Sequence, residues 1–180
     1  MRILPQNTGA LIIDYQEKLL PVVADAQTLI AKSKILLSGL QILGVPMVVS
    51  EQYPKGLGPT IAELAGVIDD FAPLEKLTFS CCGTEPLMDA VRAMNRKNII
   101  ICGVEAHVCV LQTVIDLAAM GYIPIWVHDC VGSRNHADKE LALLRAQQEG
   151  AIVSSAEAIL FELTRRAGTD TFRAISKLVK

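Results

Sequence analysis

The sequence predicts a three-layer α/β/α sandwich built around a six-stranded, mainly parallel β-sheet. Apolar segments of strand length alternate along the chain with longer segments of helical periodicity. Residues 98–102 form an apolar, β-branched run, which is typical of a strand that is covered on both faces. With 180 residues, 51% of them apolar, the chain is too short for two ordinary domains. We therefore expect residues 1–180 to form a single domain.

Two predicted strands flank a long helix in the first quarter of the chain. The strands cover residues 9–13 and 45–50, and apolar residues recur at helical spacing between them. Gly44 stands where the helix is expected to end. The three elements form a βαβ unit, which we expect to cross over with a right hand.

The remaining elements follow from turn residues and helix-capping patterns. Glycine and proline mark residues 51–59 as a loop, and the sequences at 60–63 and 154–157 have the spacing of capping boxes. Further strands are predicted at 72–77, 122–128 and 151–153, and further helices at 84–94, 108–120 and 136–148, with two more joined near Gly168.

Composition and charge exclude several classes of partner. The 17 basic and 19 acidic residues are scattered, so no basic surface for nucleic acid is expected. Charges or prolines interrupt the apolar stretches before they reach the length of a membrane span. The five cysteines lack a Cys-x-x-Cys pair and repeating spacings, which disfavours zinc and a disulfide framework. We expect a cytoplasmic protein with a small-molecule substrate, no metal and no cofactor.

Cys109 is the candidate nucleophile. It lies where the predicted strand at 98–102 turns into a helix. The first N–H groups of a helix lack internal partners and favour a nearby anion. A thiolate is such an anion, so we expect the pKa of Cys109 to be lowered there. The alternative, a small buried apolar residue, remains open.

Asp14 and Lys76 are the candidate partners of Cys109. Asp14 ends the first predicted strand and Lys76 lies on the third. If the first and fourth strands are neighbours where the winding of the sheet reverses, Asp14 and Cys109 share one crevice. A lysine there stabilises a thiolate, and a carboxylate can take its proton and later deliver one.

Four motifs resemble those of the isochorismatase-like cysteine hydrolase superfamily. They are Leu11-Ile-Ile-Asp14-Tyr-Gln16, Lys76-Leu-Thr-Phe-Ser80-Cys-Cys-Gly-Thr84-Glu-Pro-Leu87, Gly103-Val-Glu-Ala-His-Val-Cys109-Val110 and Asp129-Cys-Val-Gly-Ser133-Arg134. The resemblance spans nearly the whole chain. It implies an isochorismatase-like fold with Rossmann-like winding, and it is nearest to isochorismatase-domain proteins whose substrates are poorly defined.

The resemblance also implies a set of functional residues. These are a catalytic triad of Asp14, Lys76 and Cys109, a cis peptide at Val104–Glu105, and an oxyanion hole formed by backbone groups of Val104, Glu105 and Cys109. Nicotinamidase-like relatives carry histidine metal ligands in the loop after the second strand. Residues 51–59 contain no histidine, so no metal ligand set is expected here.

Several polar and aromatic residues near these motifs are candidates for the substrate pocket. They are Tyr15, Gln16, Tyr53, Phe79 and His107. A surface or subunit-interface position is the alternative for His107, and core packing is the alternative for Phe79. Asp129 and Arg134 are expected to form an ion pair that stabilises the turn, or to belong to a polar network that supports the strand ends.

Three functions remain open from the sequence. The first is hydrolysis of an amide or related C–N bond through a thioester-like intermediate on Cys109. The second is cleavage of an ether or other non-amide bond by Asp14 without a covalent intermediate. The third is a non-catalytic oligomeric binding protein that retains the triad. The apolar terminal helices indicate a homo-oligomer. The resemblance implies the same, because members of this superfamily often assemble as oligomers.

Overall fold

The computed structural model describes residues 1–180 and contains one six-stranded sheet. All paired strands are parallel, in the order β3-β2-β1-β4-β5-β6. The strands are β1 (Thr8–Ile13), β2 (Met47–Gln52), β3 (Leu74–Lys76), β4 (Asn98–Val104), β5 (Ile123–Gly132) and β6 (Ile152–Ser154). The predicted α/β class and its parallel sheet are therefore confirmed.

Eight α-helices connect and follow the strands. They are α1 (Ala26–Ile42), α2 (Pro54–Leu57), α3 (Ala62–Ala65), α4 (Glu85–Ala93), α5 (Leu111–Ala119), α6 (His136–Gln148), α7 (Ala156–Thr164) and α8 (Asp170–Leu178). A π-helical turn, Ala106–Val110, precedes α5, and short 3-10 turns cover Pro5–Asn7, Leu20–Val22 and Cys81–Gly83. None of the helices combines the length and apolarity that crossing a bilayer requires.

The two faces of the sheet pack against different helices, because successive strand residues point to opposite sides. On one face, Ile12 and Ile100 are buried with apolar side chains of α1, α7 and α8. On the other face, Leu11 and Ile101 are buried with side chains of α4, α5 and α6. Burial of each such side chain contributes about 1.5–3 kcal/mol to the free energy of folding. The double coverage explains why β1 and β4 are almost purely apolar.

Some predicted boundaries are wrong. Strand β3 is shorter than predicted, and β5 continues to Gly132 because its pairing with β4 resumes there after a register shift. The Thr60 hydroxyl does not cap α3; it donates to the carboxylate of Glu51, as does the Thr60 N–H. Ser155, rather than Ser154, caps α7. A short polar motif alone does not reveal that a tertiary partner competes for it.

Gly103 allows β4 to pass close to β1. Its φ is +137°, and a Cβ added there would lie 2.1 Å from the carbonyl oxygen of Ile13. We expect Gly103→Ala to lower the free energy of unfolding by at least about 3 kcal/mol, measured by urea denaturation. Gly44→Ala is the matched control because Gly44 also has a positive φ, +65°, but faces open space. Its expected cost is about 1 kcal/mol, and equal costs at the two positions would contradict a backbone clash.

Candidate active site

The strand arrangement that was predicted to create a crevice is present. β1 and β4 are neighbours, and the order of the strands reverses between them. Ile13 pairs with Gly103 near the carboxyl ends of both strands. Asp14 follows β1 directly, and Cys109 lies in the π-helical turn after β4. Parallel topology thus brings together residues that are far apart in the sequence.

Asp14 is a fully buried carboxylate with both oxygens occupied. Its Oδ1 accepts a hydrogen bond from Ser50 Oγ at 2.8 Å, and its Oδ2 accepts one from Lys76 Nζ at 2.7 Å. Burial raises the pKa of the Asp14 carboxyl, and the charge of Lys76 opposes that effect only in part. The carboxylate is therefore fixed in position and is a better proton acceptor than an exposed aspartate.

Lys76 is held by four oxygen atoms. Its Nζ donates to Asp14 Oδ2, to Gln52 Oε1 at 2.6 Å and to the carbonyl oxygen of Phe79 at 3.0 Å, and the carbonyl of Thr78 lies at 3.3 Å. Burial alone lowers the pKa of Lys76, but Asp14 and nearby thiols raise it above its ordinary value. Since an ammonium has three protons, Lys76 acts as a fixed positive charge without a spare donor.

Cys109 is buried, with 6% of its surface exposed, and its Sγ lies 4.0 Å from Gln52 Oε1. Burial raises the pKa of the thiol to about 12; the Asp14 carboxylate adds to this rise, and Lys76 opposes it. The prediction that the helix start lowers this pKa is therefore wrong. Loss of water around the sulfur and the neighbouring carboxylate decide the direction of the shift. The resting side chain is a thiol that must lose its proton when it attacks.

The turn that carries Cys109 is attached to the loop after β5. The peptide bond at Val104–Glu105 is cis, where the family resemblance implied one. The Glu105 carboxylate accepts hydrogen bonds from the N–H and the Nε of Arg134, both at 3.0 Å. His107 Nδ1 lies 3.0 Å from Ser133 Oγ. Two side chains of the turn thus have fixed partners outside it.

Asp129 and Arg134 do not pair with each other, and the structure agrees with the alternative expectation of polar contacts that support the strand ends. Arg134 pairs with Glu105 instead, and Asp129 Oδ1 accepts a hydrogen bond from the N–H of Ala156 at 2.8 Å. The two side chains therefore stabilise different contacts, one at the turn that carries Cys109 and one at the start of α7. Proximity in sequence was a poor guide because β5 continues beyond Asp129.

Comparison with known proteins identifies the family of this chain. The family model described as the isochorismatase domain matches residues 8–158. The chain belongs to the isochorismatase family. The secreted isochorismatase effector Isc1 of Phytophthora sojae is 35% identical over 184 residues, covering 99% of this chain and 87% of that protein. Isochorismatase domain-containing protein 2 of Bos taurus is 36% identical over 180 residues, covering 99% and 86%.

A solved structure of the same family is similar throughout. The structure of MAR1 ribonuclease from Caenorhabditis elegans has a TM-score of 0.93 and 36% sequence identity to this isochorismatase-family chain. The superposition covers 99% of this chain and 92% of that one. The similarity confirms the isochorismatase-like fold that the four sequence motifs implied.

Two of the five predicted pocket residues do not reach the crevice of this isochorismatase domain. Tyr15 is fully buried in the layer of α1, where its hydroxyl donates to the carbonyl oxygen of Cys130 and contacts Ser33 Oγ. Gln16 is also fully buried, and its side-chain amide bonds the backbone of Gln52. The expectation that Tyr15 and Gln16 contact substrate is therefore wrong, because both side chains are used inside the protein.

The other predicted pocket residues lie at the surface around the crevice. Tyr53 is half exposed and lines a cavity of about 300 Å³ that reaches Lys76. Phe79 is 54% exposed, and its carbonyl oxygen binds Lys76. His107, which lies two residues before Cys109 in the sequence, is half buried, and its ring is hydrogen-bonded to Ser133. None of the three side chains is fully buried, so each is accessible to another molecule.

Three residues that support the site were missed in the sequence. Ser50 donates a hydrogen bond to Asp14, and Gln52 accepts one from Lys76. Both residues lie at the carboxyl end of β2, which is the neighbour of β1. Thr113 Oγ1 donates to the carbonyl oxygen of Cys109 at 2.7 Å and accepts from the N–H of Cys81 at 3.0 Å. The rule that placed Asp14 at a strand end applies equally to β2 and was the available signal.

Proposed function

We propose that this isochorismatase-family protein is a small-molecule hydrolase with Cys109 as nucleophile and Asp14 and Lys76 as its partners. The substrate class is an amide or a compound with a related C–N bond. One observation carries the proposal: a buried carboxylate, a buried ammonium and a thiol lie together at the switch point of the sheet. Perturbed titratable groups that converge in a cleft are typical of catalytic sites.

The proposed reaction begins with transfer of the Cys109 proton to Asp14. The sulfur attacks the substrate carbonyl carbon, while Lys76 stabilises the thiolate that forms. Asp14 then protonates the departing nitrogen, which leaves a thioester on Cys109. Asp14 next takes a proton from water, the resulting hydroxide attacks the thioester, and the sulfur leaves as a thiolate that takes the proton back from Asp14. The products are a carboxylic acid and an amine, and the thiol is regenerated.

We propose that backbone N–H groups at Glu105 and Cys109, in the segment that begins at Val104, stabilise the oxyanion of the tetrahedral adduct. The bonding of Lys76 supports this assignment, because three acceptors already take the protons of its ammonium. Lys76 therefore supplies charge without donating to the oxyanion. The hydrogen bond from Thr113 to the Cys109 carbonyl fixes the turn that presents these groups.

The proposal predicts that iodoacetamide labels Cys109 faster than every other cysteine. Cys82 is the demanding comparison, because it is more exposed than Cys109 and its thiol pKa is also raised to about 12. Lys76 favours the thiolate of Cys109, whereas no cation offsets the burial of Cys82. Without that charge, the more exposed thiol would react first. We expect the Cys109 peptide to be modified at least about tenfold faster, measured by peptide mapping.

Turnover is tested with a panel of small primary and secondary amides. Amine release is measured together with the intact mass of the protein, which should show an acyl group on Cys109 that is absent in Cys109→Ala. Labelling of Cys82 ahead of Cys109, or amide turnover by Cys109→Ala at the wild-type rate, would contradict the proposal. Cys82→Ser is the matched control and should retain full turnover.

The same panel distinguishes the alternatives. Ether cleavage by Asp14 alone predicts that Cys109→Ala consumes an ether substrate at the wild-type rate. A non-catalytic binding protein predicts that no amide or ether is consumed and that Lys76→Ala changes only stability. RNA belongs in the panel because the similar protein from Caenorhabditis elegans is named a ribonuclease. We propose that RNA is not a substrate, since the Lys76 ammonium is fully engaged and acidic residues are in excess.

Homo-oligomer formation and a cytoplasmic location stay predictions. Leu77 is 75% exposed and lines one cavity with half-exposed Tyr53, and Phe79, two residues further along the chain, is also exposed. Apolar side chains grouped in this way favour contact with another protein surface. Light scattering of the purified protein measures whether copies of the chain associate.

A further inference from the structure

Gln52 is a fourth side chain at the crevice, and the proposed reaction gives it no role. Its Oε1 lies 2.6 Å from Lys76 Nζ and 4.0 Å from Cys109 Sγ. Its Nε2 donates to the carbonyl oxygen of Leu77 at 3.0 Å. That bond fixes which way the amide faces, so the oxygen is directed at the ammonium and the sulfur.

The backbone of Gln52 is held as firmly as its side chain. Gln16 Oε1 accepts from the Gln52 N–H at 2.7 Å, and Gln16 Nε2 donates to the carbonyl oxygens of Gln52 and Gly58 at 2.9 Å and 2.7 Å. Since Gln16 is fully buried, these bonds are shielded from water. Gln52 therefore presents its amide oxygen from a preorganised position.

The neutrality of the amide matters for Cys109. Lys76 already has one carboxylate partner, Asp14, and its remaining positive charge is what favours a thiolate. A second carboxylate at position 52 would cancel that charge and repel the thiolate. A side chain without an acceptor would remove the shortest hydrogen bond of the ammonium, with only the Thr78 carbonyl at 3.3 Å to replace it, and would free the Lys76 head group to turn away from the sulfur. An uncharged acceptor satisfies both requirements.

We propose that Gln52 is a positioning residue that holds the Lys76 ammonium beside Cys109 and thereby sets the reactivity of the thiol. The inference rests on the proposed function, in which Cys109 is the nucleophile. Gln52 acts through Lys76, and it makes no bond to the reacting atoms. Thiol alkylation reports this role directly, because alkylation needs neither a known substrate nor turnover.

The test compares the rate of iodoacetamide alkylation at Cys109 between pH 7 and 10 in wild type, Gln52→Glu and Gln52→Met. We expect Gln52→Glu to be slower by at least about tenfold at each pH, which is a shift of the rate curve by about one pH unit. Gln52→Met should be slower by about threefold or more, because it removes the acceptor without adding charge. Gln27→Glu, an exposed change of the same kind in α1, should retain the wild-type curve.

Thermal unfolding of each variant separates positioning from general stability. A merely structural Gln52 would lower the melting temperature and leave the rate curve of the folded protein unchanged. Wild-type rates in both Gln52 variants would overturn the inference, even if the protein hydrolyses amides. Conversely, shifted curves in a protein that consumes no amide would support the role of Gln52 and contradict the proposed function.

Discussion

Lys76→Met is expected to lower the free energy of unfolding at pH 7 by about 3–5 kcal/mol. The two side chains of the Asp14–Lys76 pair are fully buried, with 2.7 Å between Oδ2 and Nζ. Methionine preserves the volume of the lysine stem but leaves a buried carboxylate without its countercharge. In the double variant Asp14→Asn/Lys76→Met no charge is buried, so most of the loss should be recovered. Urea unfolding of both single variants and the double variant gives the coupling between the two residues.

The pH dependence of the Lys76→Met variant has a definite sign. Burial already raises the pKa of Asp14 above 3.8, and removal of Lys76 deletes the strongest opposing effect. A group whose folded pKa is raised binds its proton more tightly in the folded state, so its stabilising effect is complete below the unfolded pKa and is lost as pH rises through the folded pKa. The free energy of unfolding of Lys76→Met should therefore lie close to that of the double variant near pH 4 and fall increasingly below it toward pH 7.

Lys97→Met is the matched control for this prediction. Lys97 is exposed and makes no ion pair, so its replacement should change stability by no more than about 0.5 kcal/mol. An equal deficit for Lys76→Met at pH 4 and pH 7 would show that lost packing, rather than an uncompensated carboxylate, accounts for the effect.

The fold could be predicted because its strongest signals are local and repeated. Residues 98–102 are apolar on both faces, and the structure buries Ile99, Ile100, Ile101 and Cys102 between two helical layers. Capping residues were less informative, because Thr60 has a tertiary partner in Glu51. Periodicity records which face of an element is covered, whereas a single polar side chain has several possible partners.

The convergence of Asp14, Lys76 and Cys109 could also be predicted, because parallel strands end at one edge of the sheet. The error at Tyr15 arises at the same strand end. Tyr15 follows Asp14 directly, but the backbone of Asp14 is left-handed, with φ +56°, and the Tyr15 side chain enters the layer of α1. The raised pKa of Cys109 could not be predicted, because it depends on the depth of burial and on the distance to a carboxylate distant in sequence.

Asp14→Asn is expected to separate the reactivity of the Cys109 thiol from turnover. Amide hydrolysis should fall by at least about a thousandfold, because the group that moves protons to and from substrate is lost. Alkylation by iodoacetamide should become faster, since Asp14 raises the pKa of Cys109 and Lys76 lowers it. Without the carboxylate, the thiolate pairs with an uncompensated ammonium, so its fraction rises at a given pH.

Turnover and alkylation are expected to change in opposite directions in Asp14→Asn, so this variant tests the role of the carboxylate directly. Ser50→Ala is the matched control: it removes one hydrogen bond to Asp14 but keeps the charge, so turnover and alkylation should both change by less than about tenfold. Slower alkylation in Asp14→Asn would mean that the carboxylate activates the thiol as a base more than it suppresses the thiolate by repulsion. In that case the Asp14–Cys109 pair shares one proton, and its members titrate together rather than as separate groups.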